Sequence, residues 1–367
     1  MDRLTRRRLL ETLGAAGAGA AVTRLPLDAF AATAPRHQPG IATPAQAHLE
    51  FAAFDVTASG PTELRDLMRA WSADAARLSK KHRADRLTVT FGFGPGLFDA
   101  GRYGLERRKP AALNPLPAFF GDALDPAISG GDLAIQVCAN DEGVVGAAIA
   151  RLRARGAGAA APRWSLHGFG RASSTRHSQR TPRNLMGFKD GTNNIAGDDR
   201  TAMRHSVWVG PRDNPAWLRG GSYLVARRIR MKLDHWNATP VSRQERIIGR
   251  HKKSGAPLGG KHEFDQVDFD AGVDRGDPVI PTDAHIRLSS PHANGGKMLL
   301  RRSYNYSDGL LFLAYQRNPR QFVAIQRRLG ERDDALGDFI VHEGSALFAC
   351  PPGARKGGYI GQGLLVR

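Results

Sequence analysis

From residue 47 onward, short apolar runs of strand character alternate with segments of helical spacing, and in the second half strand-like runs follow one another directly. His48-Leu49-Glu50-Phe51-Ala52-Ala53-Phe54 reads as a strand. The segment 62–82 places Leu64, Leu67, Met68, Trp71, Ala75 and Leu78 at helical intervals behind Thr62 as its cap. Strands at 87–93 and 132–138, a helix at 142–155 and an extended stretch at 162–173 complete the first half. The second half reads as a strand at 221–231, a helix at 241–249, a Gly- and Lys-rich loop to about 277, strands at 299–306 and 309–315, a helix at 319–329 and a strand at 346–349. Strands that adjoin strands disfavour a parallel βαβ wheel and favour α+β architecture, with two halves that each lay helices on one face of a sheet. At 367 residues and 41% hydrophobic content, the chain has enough apolar material for both cores. The boundary is expected between 194 and 217, and no residue-level repeat marks it.

Ahead of this region, Thr5-Arg6-Arg7-Arg8-Leu9-Leu10 precedes an uncharged Ala- and Gly-rich run at 12–23, and Ala29-Phe30-Ala31 offers a small-residue cleavage site. This is the layout of a twin-arginine export signal over 1–31, followed by a flexible linker at 32–46. The run is too short and too weakly apolar to span a bilayer, which takes about 20 apolar residues. The mature chain is therefore expected to have no membrane span and to reach the periplasm or the exterior. The twin-arginine route carries folded proteins, so the signal itself points to a cofactor inserted beforehand.

The formal charge is +18, and the first 31 residues contribute little of it. Nucleic acid is the first partner such a charge suggests. The arginines are scattered, however, and no zinc-finger spacing, aromatic RNA-binding signature or basic-helix-plus-heptad pattern accompanies them, so no nucleic-acid partner is expected. Small anionic substrates suit the same surface. Two cysteines, Cys138 and Cys350, allow neither a disulfide framework nor a Cys-ligated zinc site, and their apolar surroundings read as buried strands with inert thiols. Gly92-Phe93-Gly94-Pro95-Gly96 fails dinucleotide-loop spacing and reads as a turn closing a strand. None of the twelve histidines forms His-Glu-x-x-His or another dense cluster in sequence.

Gly187-Phe188-Lys189-Asp190-Gly191-Thr192-Asn193-Asn194 sets one acid between two glycines, which on spacing alone is a turn. It is followed downstream by Ala284-His285-Ile286-Arg287, by Leu299-Leu300-Arg301-Arg302-Ser303-Tyr304-Asn305-Tyr306 and by Gly309-Leu310-Leu311-Phe312-Leu313-Ala314-Tyr315-Gln316. Taken in this order, the segments resemble the dye-decolourising peroxidases. The likeness runs from about 49 to 365 and includes Thr90 to Phe98 and Trp217 to Tyr223.

That resemblance implies two ferredoxin-like domains, 47–200 and 201–367, with antiparallel sheets and peripheral helices, and haem b between the sheet and helices of the second. It implies His285 as the proximal iron ligand, with His292, His251 and His262 as decoys. Asp190 and Arg301 become the catalytic pair that acts on hydrogen peroxide. Leu311, Phe312 and Asn194 are implied at the haem, Arg287 at its propionates, and Asp338 as acceptor of the His285 Nδ1 proton, with Glu331, Asp333 and Asp334 as alternatives. An Asp in place of the usual acid–base His implies an acid pH optimum, since a free aspartate titrates near about 3.9. The donors would be phenolics and anionic dyes, too bulky to enter, whose electrons leave through Tyr304, Tyr306 or Trp236 unless these are simple core aromatics. Two other readings stand beside this one: a haem-handling protein that releases iron, and a basic protein without haem.

Overall fold

The computed structural model describes residues 37–176 and 178–366. The export signal expected at 1–31 and the start of the linker lie outside the described residues. The strands are β1 (His48–Val56), β2 (Thr88–Phe93), β3 (Leu133–Ala139), β4 (Ala160–Arg171), β5 (Ser222–Met231), β6 (Leu300–Arg301), β7 (Tyr304–Tyr306), β8 (Gly309–Gln316) and β9 (Ile340–Cys350). The helices are α1 (Pro61–Lys81), α2 (Glu142–Gly156), α3 (Arg200–Ser206), α4 (Leu233–Ala238), α5 (Val241–Ile248), α6 (His285–Leu288), α7 (Arg320–Glu331) and α8 (Gln362–Leu365).

The strands pair antiparallel in two ferredoxin-like half-sheets, β2-β3-β1-β4 and β9-β5-β8-β7, which also bond to each other, at β2–β9 through Phe93 and Ala349 and at β4–β7 through Phe169 and Asn305. With β5 bonded to both β8 and β9, the ladder returns on itself. Strand periodicity then sorts the side chains. Leu49, Phe51, Leu224, Leu313, Tyr315 and Phe348 are among those that fill the interior of the ring. Alternate residues such as Phe54, Phe91 and Ile135 face outward and are covered by α1 and α2, where Trp71 of α1 donates through Nε1 to Leu152 O of α2 at 2.8 Å. Cys138 and Cys350 are free and buried, as their context predicts.

Two details differ from the sequence reading. Helix α1 begins at Pro61 with Gly60 as its cap rather than Thr62; proline presets the first helical φ, and Glu63 reaches back to the Ser59 amide at 2.7 Å. Strand β9 starts at Ile340 rather than 346, because His342, Glu343 and Gly344 interrupt the apolar run while the backbone stays paired with β5 through a bulge at Arg228/Ile229.

Candidate active site

On the outer face of the second half-sheet, the helices stand off the strands and leave a cavity of about 950 Å³. Its floor is Ile229 and Met231 of β5 with Leu310 and Phe312 of β8. Helix α5 contributes Ile247 and Ile248, and His285 of α6 enters from one side. The volume is at the upper end of the about 300–1,000 Å³ usual for small-molecule sites.

His285 begins a single helical turn. Its Nδ1 lies 2.7 Å from Asp334 Oδ2, and Asp334 caps the turn Ala335–Phe339 by accepting the Leu336 amide on Oδ1. Ala335 also donates its amide to Asp283 O at 3.1 Å, so the strand-ward turn and α6 are held together. Burial works against the His285 imidazolium, but the charge and hydrogen bond of Asp334 outweigh it and raise the pKa above the usual 6.5. With Nδ1 committed to a carboxylate, Nε2 is the nitrogen available to a ligand.

Asp190 and Arg301 share the cavity with His285 and act on its charge from the facing loop and strand. Gly187 (φ +84°) and Gly191 (φ +106°) bracket the acid in left-handed backbone, and a Cβ at Gly191 would stand 2.7 Å from the Ser174 amide nitrogen. This turn therefore requires its glycines. Asp190 accepts a direct hydrogen bond from Arg301 Nη1 and a longer one, 3.3 Å, from Asn184 Nδ2. Arg301 lies on β6, the short strand against β8.

The structure brings Asp190, His285, Arg301, Phe312 and Asp338 to one cavity and leaves Arg287, Asn194 and Leu311 off its lining. Asp338 lines the wall but is not bonded to His285; Asp334 is, because the turn after 334 carries Asp338 past the ring and leaves its carbonyl bonded to Lys232 Nζ. Arg287 ties its Nε and Nη2 to the carbonyls of Ile280 and Pro281 and so fastens the loop that precedes α6. Asn194 accepts the Arg301 amide and donates to the Arg301 carbonyl, both at 2.8 Å, so it clamps the backbone of the arginine. Leu311 points into the ring interior, since its neighbours Leu310 and Phe312 take the cavity face. Tyr304, Tyr306 and Trp236 are all buried core aromatics. Trp236 donates through Nε1 to Met186 O, edge-on to Phe188 and Phe339.

The reading of the sequence passed over Arg243 and Lys297, which line the cavity and carry the cationic groups that carboxylates of a bound ligand need. It also passed over His342, a neutral wall residue whose pKa is pushed down to about 3 by burial and by nearby Arg227. Apolar walls, a single carboxylate-held imidazole, a cationic rim and a separate acid–arginine pair fit a haem with one axial histidine. Asp334→Asn should retain the Nδ1 contact without its charge. Haem affinity is expected to fall about 10–100-fold with the iron potential raised, and an unchanged potential would count against the pairing.

Comparison with known proteins agrees with this geometry. Residues 38–170 match the family profile "Dyp-type peroxidase, N-terminal" and residues 181–355 match "Dyp-type peroxidase, C-terminal". The chain is 43% identical over 362 residues to a dye-decolorizing peroxidase of Thermobifida fusca, covering 89% of this chain and 83% of that protein. It is 37% identical over 367 residues to a deferrochelatase of Yersinia pestis, covering 90% and 83%. Among solved structures it is similar to ferric DtpA from Streptomyces lividans, at a TM-score of 0.83 and 40% identity over 90% of this chain and 95% of that one. With both halves matched by the family profiles and a curated relative 43% identical over most of its length, the chain belongs to the Dyp-type peroxidases and is a haem peroxidase.

Proposed function

We propose that the chain holds haem b through His285 Nε2 in the cavity between the second half-sheet and α5–α7, and that it uses hydrogen peroxide to oxidise organic donors by one-electron steps. The observation that carries the assignment is the pairing of His285 with Asp334 in the same cavity as the Asp190–Arg301 pair. Haem, when bound, takes up the two oxidising equivalents of hydrogen peroxide and passes them to donors one at a time. Phe312, Ile229 and Ile247 line the cavity with apolar surface that would exclude water from the group, and Arg243 and Lys297 are the lining cations that would pair with its carboxylates.

Asp190 takes the proton from one peroxide oxygen and returns it to the other, which departs as water. Arg301 holds the carboxylate by its hydrogen bond and stabilises the negative charge that builds as the O–O bond breaks. Asn194 and the two glycines keep both groups in register. Because a carboxylate does the relay, turnover should be fastest in acid; a rate maximum above neutrality would remove Asp190 from that role.

The scattered basic surface suits anionic dyes, which dock outside and are oxidised at a distance. Raising salt should raise KM for a sulfonated dye and leave a neutral phenol unaffected, because screening shortens the reach of exposed charge to about 8 Å at 0.15 M. Equal salt responses of the two donors would contradict surface docking.

The relatives named deferrochelatase favour one second reading, release of iron from haem. Products decide between them. Peroxide-dependent donor oxidation with haem intact supports the peroxidase reading, and metal-free porphyrin in its place supports iron release. The paired arginines at Arg6 and Arg7 before an uncharged run support export by the twin-arginine route to the periplasm or beyond. Lysine at both positions should leave the protein in the cytoplasm, and unimpaired export would refute that route.

A further inference from the structure

A second constellation of ligand-type side chains lies on the first half-sheet, built from residues far apart in the chain. His48 opens β1, His167 lies on β4, and Glu142 is the first residue of α2. His48 and Glu50 are two apart on β1 and so share a face, and His167 stands opposite Glu50 in the β1–β4 register. Helix α2 packs over that same face through Val145, Ile149 and Leu152, which brings Glu142 over the two rings. One ring nitrogen of each histidine and one Glu142 oxygen lie within 4.8 Å of one another.

His167 Nε2 is 3.4 Å from Glu142 Oε1, and its Nδ1 is 3.7 Å from Glu50 Oε2. Tetrahedral zinc, with bonds of about 2.0–2.2 Å to nitrogen and oxygen, sets neighbouring donors about 3.3–3.5 Å apart. The His167–Glu142 pair already has that separation, His48 completes the set within 4.8 Å, and the exposed Glu142 side chain is free to adjust toward both rings. Glu50 stands behind His167 at ion-pair distance, where an outer carboxylate can orient a ligating imidazole, and Arg153 holds its other oxygen at 3.0 Å. Ion pairing alone accounts for His167 between two glutamates but leaves the buried His48 Nδ1 without a partner. A cation at the focus of the three donors engages His48 as well.

We propose that His48, His167 and Glu142 bind one divalent cation of the zinc class, with water in the fourth position and Glu50 orienting His167. The donor set is two imidazoles and a carboxylate, which suits a borderline metal rather than calcium or magnesium. The ion would fasten the start of α2 to β1 and β4, separate from the haem cavity.

The test titrates chelator-treated, haem-loaded protein with Zn²⁺ at pH 7.5 by calorimetry, with metal analysis of the product. One zinc per chain beyond the haem iron is expected. His48→Ala and His167→Ala should each weaken binding at least about tenfold, and Glu50→Gln about tenfold through loss of the outer carboxylate. Glu142→Gln alters an exposed side chain and serves if a histidine variant does not fold; it too should weaken binding at least about tenfold. Peroxidase rates in zinc-free buffer should be the same for all variants. Absence of saturable one-to-one binding, or wild-type affinity in both Glu142→Gln and the double histidine variant, would overturn the proposal.

Discussion

Replacing His285 with Ala is expected to abolish the haem–histidine absorption band near about 400 nm in the purified protein and to reduce peroxidase turnover to background. His285 is the cavity residue whose Nδ1 is fixed by a buried carboxylate, which fixes the tautomer and leaves Nε2 for the iron. Removing the ring takes away the axial bond and leaves Asp334, only 6% exposed, as an uncompensated buried charge. The loss of haem affinity should therefore exceed the about 10–100-fold that follows loss of an outer-shell partner. Added imidazole should restore part of the band, since it refills the volume and the nitrogen that the substitution removed. A variant that keeps the native band without imidazole would assign the ligand to another residue, and His292 at the cavity wall would be next to test.

The second large effect falls on Arg301. Arg301→Leu should lower kcat/KM for hydrogen peroxide by about 10²–10³, the usual cost of removing a donor aimed at developing negative charge. The absorption spectrum of the resting protein should remain native, because Arg301 does not touch His285. Two things go with the guanidinium: stabilisation of the departing oxygen, and the hydrogen bond that holds Asp190 in place. Lysine at this position retains the charge but not the planar fork, so it should recover only part of the loss. If Arg301→Leu changed KM for the dye and left kcat/KM for peroxide unaltered, Arg301 would belong to donor binding instead.

The fold class was legible because the strands of each half carry apolar runs broken by turn residues, and α1, α2 and α7 carry helical spacing. What the runs did not show was the closure of the ladder at Phe93–Ala349 and Phe169–Asn305, since pairing between distant edges leaves no mark on local periodicity. At the site, Asp190, His285 and Arg301 were legible through order and family likeness. Asp334 and Asp338 were not distinguishable in sequence, because the choice depends on the phase of a five-residue turn. Leu311 and Phe312 were a similar case: both are apolar, and the pleat alone decides which one faces the cavity. Asn194 and Arg287 bond to backbone around the site, Asn194 to Arg301 and Arg287 to Ile280 and Pro281, and no motif records such bonds. The His48–Glu142–His167 group was invisible for the same reason as the ring closure, as its members meet only through β1–β4 pairing and the packing of α2.

In the proposed mechanism Asp190 and Arg301 work as one unit on peroxide in the cavity that His285 shares. Stopped-flow mixing of haem-loaded protein with hydrogen peroxide, followed at the main haem band, tests it with wild type, Asp190→Asn, Arg301→Leu and the double variant. Because the two side chains are in contact, their effects should not add. The double variant should react with a second-order rate at least about 10²-fold below wild type and close to that of the slower single variant. A double variant that reacts within threefold of wild type, with its resting spectrum intact, would contradict it.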